Sequence, residues 1–236
     1  MKKILLLVLG LQMAACTPAE LQSALGTVLG EAPLTNEQIG QGLKQALEIG
    51  IGTGAERLSM TDGYLKSVHK ILLPPEAQEI IDKLKVIPGF ADVEQVAIQK
   101  INRAAEDAAK KAKPIFVSAI KQMTFQDAMN ILMGEKNAAT TYLHSSTNTQ
   151  LYNEFNPVIL NSLNKFGAVE YWEKAINKYN QIPFVKKINP RLDDYVTTQA
   201  LQGLFNMVEK EERDIRQNVS RRTTELMKRV FAKQDS

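Results

Sequence analysis

The sequence predicts an all-α fold: a single globular multi-helix domain over residues 35–236, behind an N-terminal lipoprotein signal peptide (residues 1–15) and a lipidated N-terminus and tether (residues 16–34). Three observations carry this prediction. Apolar residues recur at three- and four-residue spacing along most of the chain, the segments open on capping residues and close on Gly or Pro, and no run of β-branched residues alternates with period two. At 236 residues, 44% apolar and 23% charged, the composition is that of an ordinary globular protein, which excludes disordered, collagen-like and polytopic membrane classes.

The first element is a processing signal. Lys2 and Lys3 form a positive start, Ile4 to Leu11 form an apolar run shorter than the roughly 20 residues that span a bilayer, and Met13-Ala14-Ala15 precede Cys16. This arrangement resembles a bacterial lipobox, in which the Cys is acylated and becomes the mature N-terminus. Cys16 is the single Cys of the chain, so neither a disulfide framework nor a CxxC metal or redox motif is possible. Thr17 stands where Asp, by resemblance to lipoprotein sorting in Gram-negative bacteria, would favour inner-membrane retention. The expected location is therefore the outer membrane, with the domain facing the periplasm. Each buried CH₂ contributes about 0.8 kcal/mol, so two or three acyl chains anchor a domain stably. Of the 29 Lys and Arg residues, all but Lys2 and Lys3 remain after cleavage, against 26 acidic residues. That near-neutral balance does not support a nucleic-acid partner.

The helices follow in order. Thr35 with Gln38 makes a capping box for a helix through Ile39, Leu43, Ala46 and Gly50 that turns near Met60 to Gly63. Pro74-Pro75-Glu76 opens a short helix that stops before Pro88-Gly89. Asp92 caps an Ala-rich helix to about Lys113, where Pro114 either kinks it or begins the next one. Thr124 with Asp127 is a second capping box, for a helix that Gly134 ends. Further helices are predicted at about 137–146, 149–166 with a bend at Pro157, 168–180, 191–217 behind Asn189-Pro190, and 221–232.

Several strings in this order match one family. Leu43-Lys44-Gln45-Ala46-Leu47, Asn102-Arg103-Ala104-Ala105-Glu106, Met123-Thr124 with Asp127-Ala128, Ile131-Leu132 before Gly134, Ala139-Thr140-Thr141-Tyr142, Gly203-Leu204-Phe205, and Glu212 with Ile215-Arg216 resemble the bacterial domain-of-unknown-function family 4197, from about Thr35 to Phe231. Val219 departs from the Pro expected after Asn218. The resemblance implies an envelope-located helical protein and implies no chemistry.

Motifs that carry chemistry are sparse. Gly50-Ile51-Gly52-Thr53-Gly54 has no preceding strand and no Gly-Lys-Ser/Thr, so it does not read as a phosphate loop. Gly42, Ala46, Gly50 and Gly54 instead lie four apart on one helix face, where small residues admit a close neighbour. His69 and His144 have no ligand-spaced companions, and neither a Gly-x-Ser-x-Gly elbow nor a His-Glu-x-x-His is present, so no metal, cofactor or catalytic residue is assigned.

The candidate binding or buried polar residues are Asn102, Arg103, Glu106, Glu212 and Arg216. On a helical wheel Ile101, Ala104, Ala105, Ala108 and Ala112 form a buried stripe that Asn102 borders. Arg103 and Glu106 project opposite it, either on a solvated face with i,i+4 pairs to Asp107 and Lys110 or on a face that other helices cover or that lines a groove. Glu212 falls inside the apolar stripe of Leu201, Leu204, Phe205, Val208 and Ile215, where an ionised carboxylate requires a partner. Arg216 at i+4 is the local choice, and Arg103 a tertiary one. From Arg213 to Lys233 the chain carries seven basic residues against Asp214 and Glu225, either a solvated face or a surface for an anionic membrane or acidic partner. The expected function is binding or structural interaction with an envelope protein, lipid or polymer. The alternative is a carboxylate-dependent enzyme acting on a cell-wall polymer, which needs two acids in separated environments.

Overall fold

The computed structural model describes residues 33–78 and 91–232, except 166, 182, 185, 186, 188 and 190. The signal peptide, most of the tether, Pro88-Gly89, Pro190 and Lys233 lie outside the described residues. The described helices belong to one compact unit that starts at Asn36. They are α1 (Asn36–Ser59), α2 (Val93–Ala109), α3 (Ala112–Gln122), α4 (Phe125–Met133), α5 (Ala138–Asn164), α6 (Ala168–Tyr179), α7 (Leu192–Gln217) and α8 (Glu225–Phe231), with single 3₁₀ turns at Pro75–Ala77 and Val219–Arg221. The fold is all-α.

Local chemistry explains most boundaries. At α4 the Thr124 hydroxyl accepts the Asp127 amide at 3.1 Å, and the Asp127 carboxylate accepts the Thr124 amide at 2.9 Å, closing the expected capping box. The Ala-rich α2 ends at Ala109, earlier than Lys113, and Pro114 sits in the first turn of α3, where helical amides have no carbonyl to reach. Asp92 precedes α2 without making a side-chain cap bond.

Two further boundaries differ from the sequence expectation. The two helices expected at 137–146 and 149–166 are one, α5, because its buried face runs unbroken through Ala139, Leu143, Thr147, Leu151, Phe155, Ile159 and Leu163. Thr147, between the two expected helices, donates its hydroxyl to the Leu143 carbonyl at 2.5 Å and so remains in the helix fully buried. The last helix begins at Glu225, later than 221, because the Thr224 hydroxyl accepts the Met227 amide at 3.2 Å and supplies the cap.

Helix α7 lies at the centre, packed against α5 on one side and α1 on the other, while α2 and α3 each bridge α1 and α5. Phe116 of α3 meets Phe205 of α7 edge-to-face, ring centroids 6.0 Å apart. The four-residue stripe on α1 faces α7 and α8. A Cβ on Gly42 would stand 2.6 Å from Val230, on Gly50 2.5 Å from Ile215, and on Gly54 3.0 Å from Met207, so neighbouring side chains occupy the notches these glycines leave.

Candidate functional site

Asn102, Glu106, Glu212 and Arg216 each bond backbone, whereas Arg103 pairs with two carboxylates. Asn102 is fully buried, and its amide holds the segment after α1: Oδ1 accepts the Ile71 amide at 2.9 Å, while Nδ2 donates to the Ile71 carbonyl at 2.8 Å and to Ile98 O at 2.7 Å. One turn on, Glu106 Oε1 accepts the amides of Tyr64 and Leu65 at 3.1 and 3.2 Å. Arg103 reaches Glu106 at 2.5 Å and Asp62 at 2.6 Å. Through Asn102, Arg103 and Glu106 the polar edge of α2 therefore clamps residues 62–71, while Asp107 and Lys110 stay in solvent. The pairs expected between Arg103 and Asp107 and between Glu106 and Lys110 are replaced by Arg103 with Glu106 and Asp62, and by Lys110 with Asp107 at 2.7 Å.

The clamped segment reaches α7 through Tyr64. Its hydroxyl donates to the Ala200 carbonyl at 2.7 Å, and burial pushes the phenol far above its ordinary pKa. A Cβ on Gly203 would lie 2.9 Å from the Tyr64 ring and 3.2 Å from His69 Cβ, which accounts for glycine in the Gly203-Leu204-Phe205 string. Asp62 adopts a left-handed backbone, φ 70°, a conformation that Asp tolerates better than most side chains.

Glu212 and Arg216 form a second device. Glu212 Oε1 accepts the Ala139 amide at 3.0 Å, and Oε2 accepts both the Thr140 amide and its hydroxyl at 2.8 Å, so a carboxylate from α7 caps the positive end of α5. Arg216 pairs with Glu212 at 2.9 Å and donates to the carbonyls of Ile131 at 2.7 Å and Leu132 at 3.4 Å, at the negative end of α4. The ion pair thus joins α4 to α5 across the turn at Gly134. Arg103 and Glu212 serve separate clusters. A void of about 10 Å³ borders Glu212, at the lower limit for one water molecule.

Sequence reasoning missed Glu211, fully buried between Arg57, at 3.0 Å, and Arg221. The signal was present, since Glu211 follows Met207 by four and Val208 by three. A single apolar stripe does not describe α7, which buries one side on α1 and another on α5. Also missed were Asp193, which takes Asn156 at 2.9 Å and Arg191 at 2.8 Å, and the 2.5 Å bond from the Tyr152 hydroxyl to Asp194, which with burial pushes that phenol up to about 12.

The basic run near the C-terminus is largely consumed internally. Arg216 meets Glu212, Arg221 meets Glu211, Lys228 meets Glu225, and the buried Arg222 donates to the carbonyls of Ile215 at 3.1 Å and Arg216 at 2.9 Å while lying 5.5 Å from the Phe231 ring. It is not a continuous basic surface.

An open groove of about 520 Å³ runs between α5 and α7. Thr140, His144, Asn148 and Tyr152 contribute from α5, and Gln202 and Asn206 from α7, above the apolar Leu201 and Phe205. His144 lies 4.5 Å from Phe205, and Glu209 is the one acid among the lining residues described. Among the described residues, no three His, Cys, Asp or Glu side chains gather closely enough to hold a metal ion.

Three aspartates make the acid dependence calculable in sign. Asp62 lies below its ordinary value of 3.8 because Lys66 and Arg103 hydrogen-bond to it, and Asp127 because the Thr124 hydroxyl and amide do. Burial alone would raise Asp193, but hydrogen bonds from Arg191 and Asn156 outweigh it and leave the group lowered. Carboxylates lowered by folding stabilise fully above their unfolded pKa and lose that contribution as pH falls through the folded one. The expected result is a Tm that declines as pH drops from about 5 to about 3, with a smaller decline for Asp62→Asn. Thermal melts across that range check it.

Fold and site together define an all-α domain in which buried polar side chains from α2 and α7 fasten loops and helix ends. The chain belongs to the family described as Protein of unknown function (DUF4197), which matches residues 33–232. No curated protein and no solved structure matches it.

Proposed function

We propose that the protein is a lipid-anchored component of the bacterial cell envelope that binds a polar envelope component in the groove between α5 and α7. The observation that carries this reading is the chemistry of the groove. Hydroxyls and carboxamides offer both donors and acceptors beside the His144 and Phe205 rings, a lining suited to a hydroxyl- and amide-rich ligand of low charge such as a segment of an envelope polymer. The buried Glu106, Glu211 and Glu212 are each engaged by guanidinium or backbone donors, which disfavours the enzyme alternative with its need for two carboxylates facing substrate.

Native mass spectrometry of the full-length protein extracted from membranes tests the groove. The wild type should retain a bound mass that Asn148→Leu with Asn206→Leu loses at unchanged Tm. No bound mass, or an equal one in the variant, overturns the reading. Anchoring is supported by Lys2-Lys3, the short apolar run and Met13-Ala14-Ala15-Cys16. Cys16→Ser should shift the protein from the membrane to the soluble periplasmic fraction and remove the acyl mass. Identical fractionation of the two forms, without acyl chains on either, would refute anchoring.

A further inference from the structure

A second cleft, of about 390 Å³, opens where the end of α4 meets α7 and α8, within the roughly 300–1,000 Å³ range of small-molecule sites. Leu132, Met133 and Val230 give it an apolar wall, and Lys136, Arg213 and Arg216 give it positive charge. Met133 is 71% exposed, whereas Leu132 and Val230 are otherwise buried. The three cations differ in what they already hold. Arg216 is committed to Glu212 and the α4 carbonyls. Lys136 and Arg213 make no ion pair or hydrogen bond among the described residues, and no carboxylate is among the lining residues described.

The end of a helix is ordinarily a poor place for an anion, because its unpaired carbonyls carry partial negative charge. Here Arg216 covers the carbonyls of Ile131 and Leu132, which offsets part of that repulsion and leaves the charges of Lys136 and Arg213 uncompensated. An anion alone would satisfy the cations and leave the apolar wall in water. A neutral apolar chain would do the reverse. An anionic head on an acyl chain satisfies both.

We propose that this cleft binds one anionic phospholipid, one of its acyl chains against Leu132, Met133 and Val230 and its phosphate held by Lys136 and Arg213. The cleft is distinct from the groove between α5 and α7, so its failure would leave the proposed function standing.

The test titrates the full-length protein, in neutral dodecyl maltoside, with dioctanoyl phosphatidylglycerol and counts adducts by native mass spectrometry. Dioctanoyl phosphatidylcholine serves as the zwitterionic control, inorganic phosphate as the head alone, and laurate as a non-phospholipid anionic chain. One saturable phosphatidylglycerol adduct is expected, roughly tenfold or more tighter than phosphatidylcholine, since each basic residue near an anionic lipid contributes to the attraction. Lys136→Gln with Arg213→Gln should abolish that preference without lowering Tm, both side chains being exposed and unpaired. Equal binding of the two phospholipids, an unchanged preference in the double variant, or phosphate alone binding as tightly would overturn the proposal. Laurate binding as tightly would identify the occupant as a fatty acid, and would overturn it as well.

Discussion

Glu212→Gln is expected to lower stability by about 3–5 kcal/mol, the usual cost of removing one partner from a buried ion pair. For a domain of this size that corresponds to roughly 10 °C or more in Tm. The effect is large because one carboxylate serves three residues at once: the Ala139 amide, the amide and hydroxyl of Thr140, and the Arg216 guanidinium. A carboxamide has one acceptor oxygen, so its NH₂ must face either the backbone donors of α5 or the guanidinium. Arg216→Met should also destabilise, and the double variant should cost less than the sum of the two single changes, because each single change leaves the other charge buried. A Tm for Glu212→Gln equal to or above that of the wild type would discard the structural pair. Glu212 would then be the first residue to examine for ligand binding.

Asn102→Leu is expected to cost about 2–4 kcal/mol, because it leaves the buried amide and carbonyl of Ile71 without partners in a space of nearly unchanged volume. The loss should also be local. Residues 62–71 are fastened at Asn102 and Glu106 and, through Tyr64, at Ala200. Freed at one end, the segment should open more often than the rest of the domain. Hydrogen exchange reads this directly: the amides of Tyr64, Leu65 and Ile71 should lose protection well before those in the middle of α7. Uniform protection, or an unchanged Tm, would show that the clamp contributes nothing to holding the segment.

The two variants bracket what a buried polar side chain does here. Glu211 shows a contrasting case, since its partners Arg57 and Arg221 are 48% and 35% exposed and can turn to water when the acid is lost. Arg216, at 11% exposure, has little such freedom. Partner exposure therefore separates the acids more clearly than their own burial does.

By itself the sequence determined the all-α class, most helix boundaries, the capping box at Thr124 and the presence of a carboxylate inside the apolar stripe at Glu212. These are local properties: periodicity, caps and breakers act within a turn or two of the residue that carries them. It also singled out Asn102, Arg103, Glu106, Glu212 and Arg216, yet it could not say what they touch. Asn102 borders its stripe in any helix, but its bond to Ile71, 31 residues away, exists only once the loop is folded back over α2. The same holds for Arg103, which exchanges a neighbour on its own helix for Asp62, and for Glu212, whose partners at Ala139 and Thr140 lie 73 and 72 residues away. Only the tertiary structure decided that Arg216, Arg221 and Arg222 of the C-terminal basic run are spent on Glu211, Glu212 and backbone carbonyls. A charge seen in sequence reports its sign, whereas its availability to a ligand depends on which distant groups the packing brings within hydrogen-bond reach.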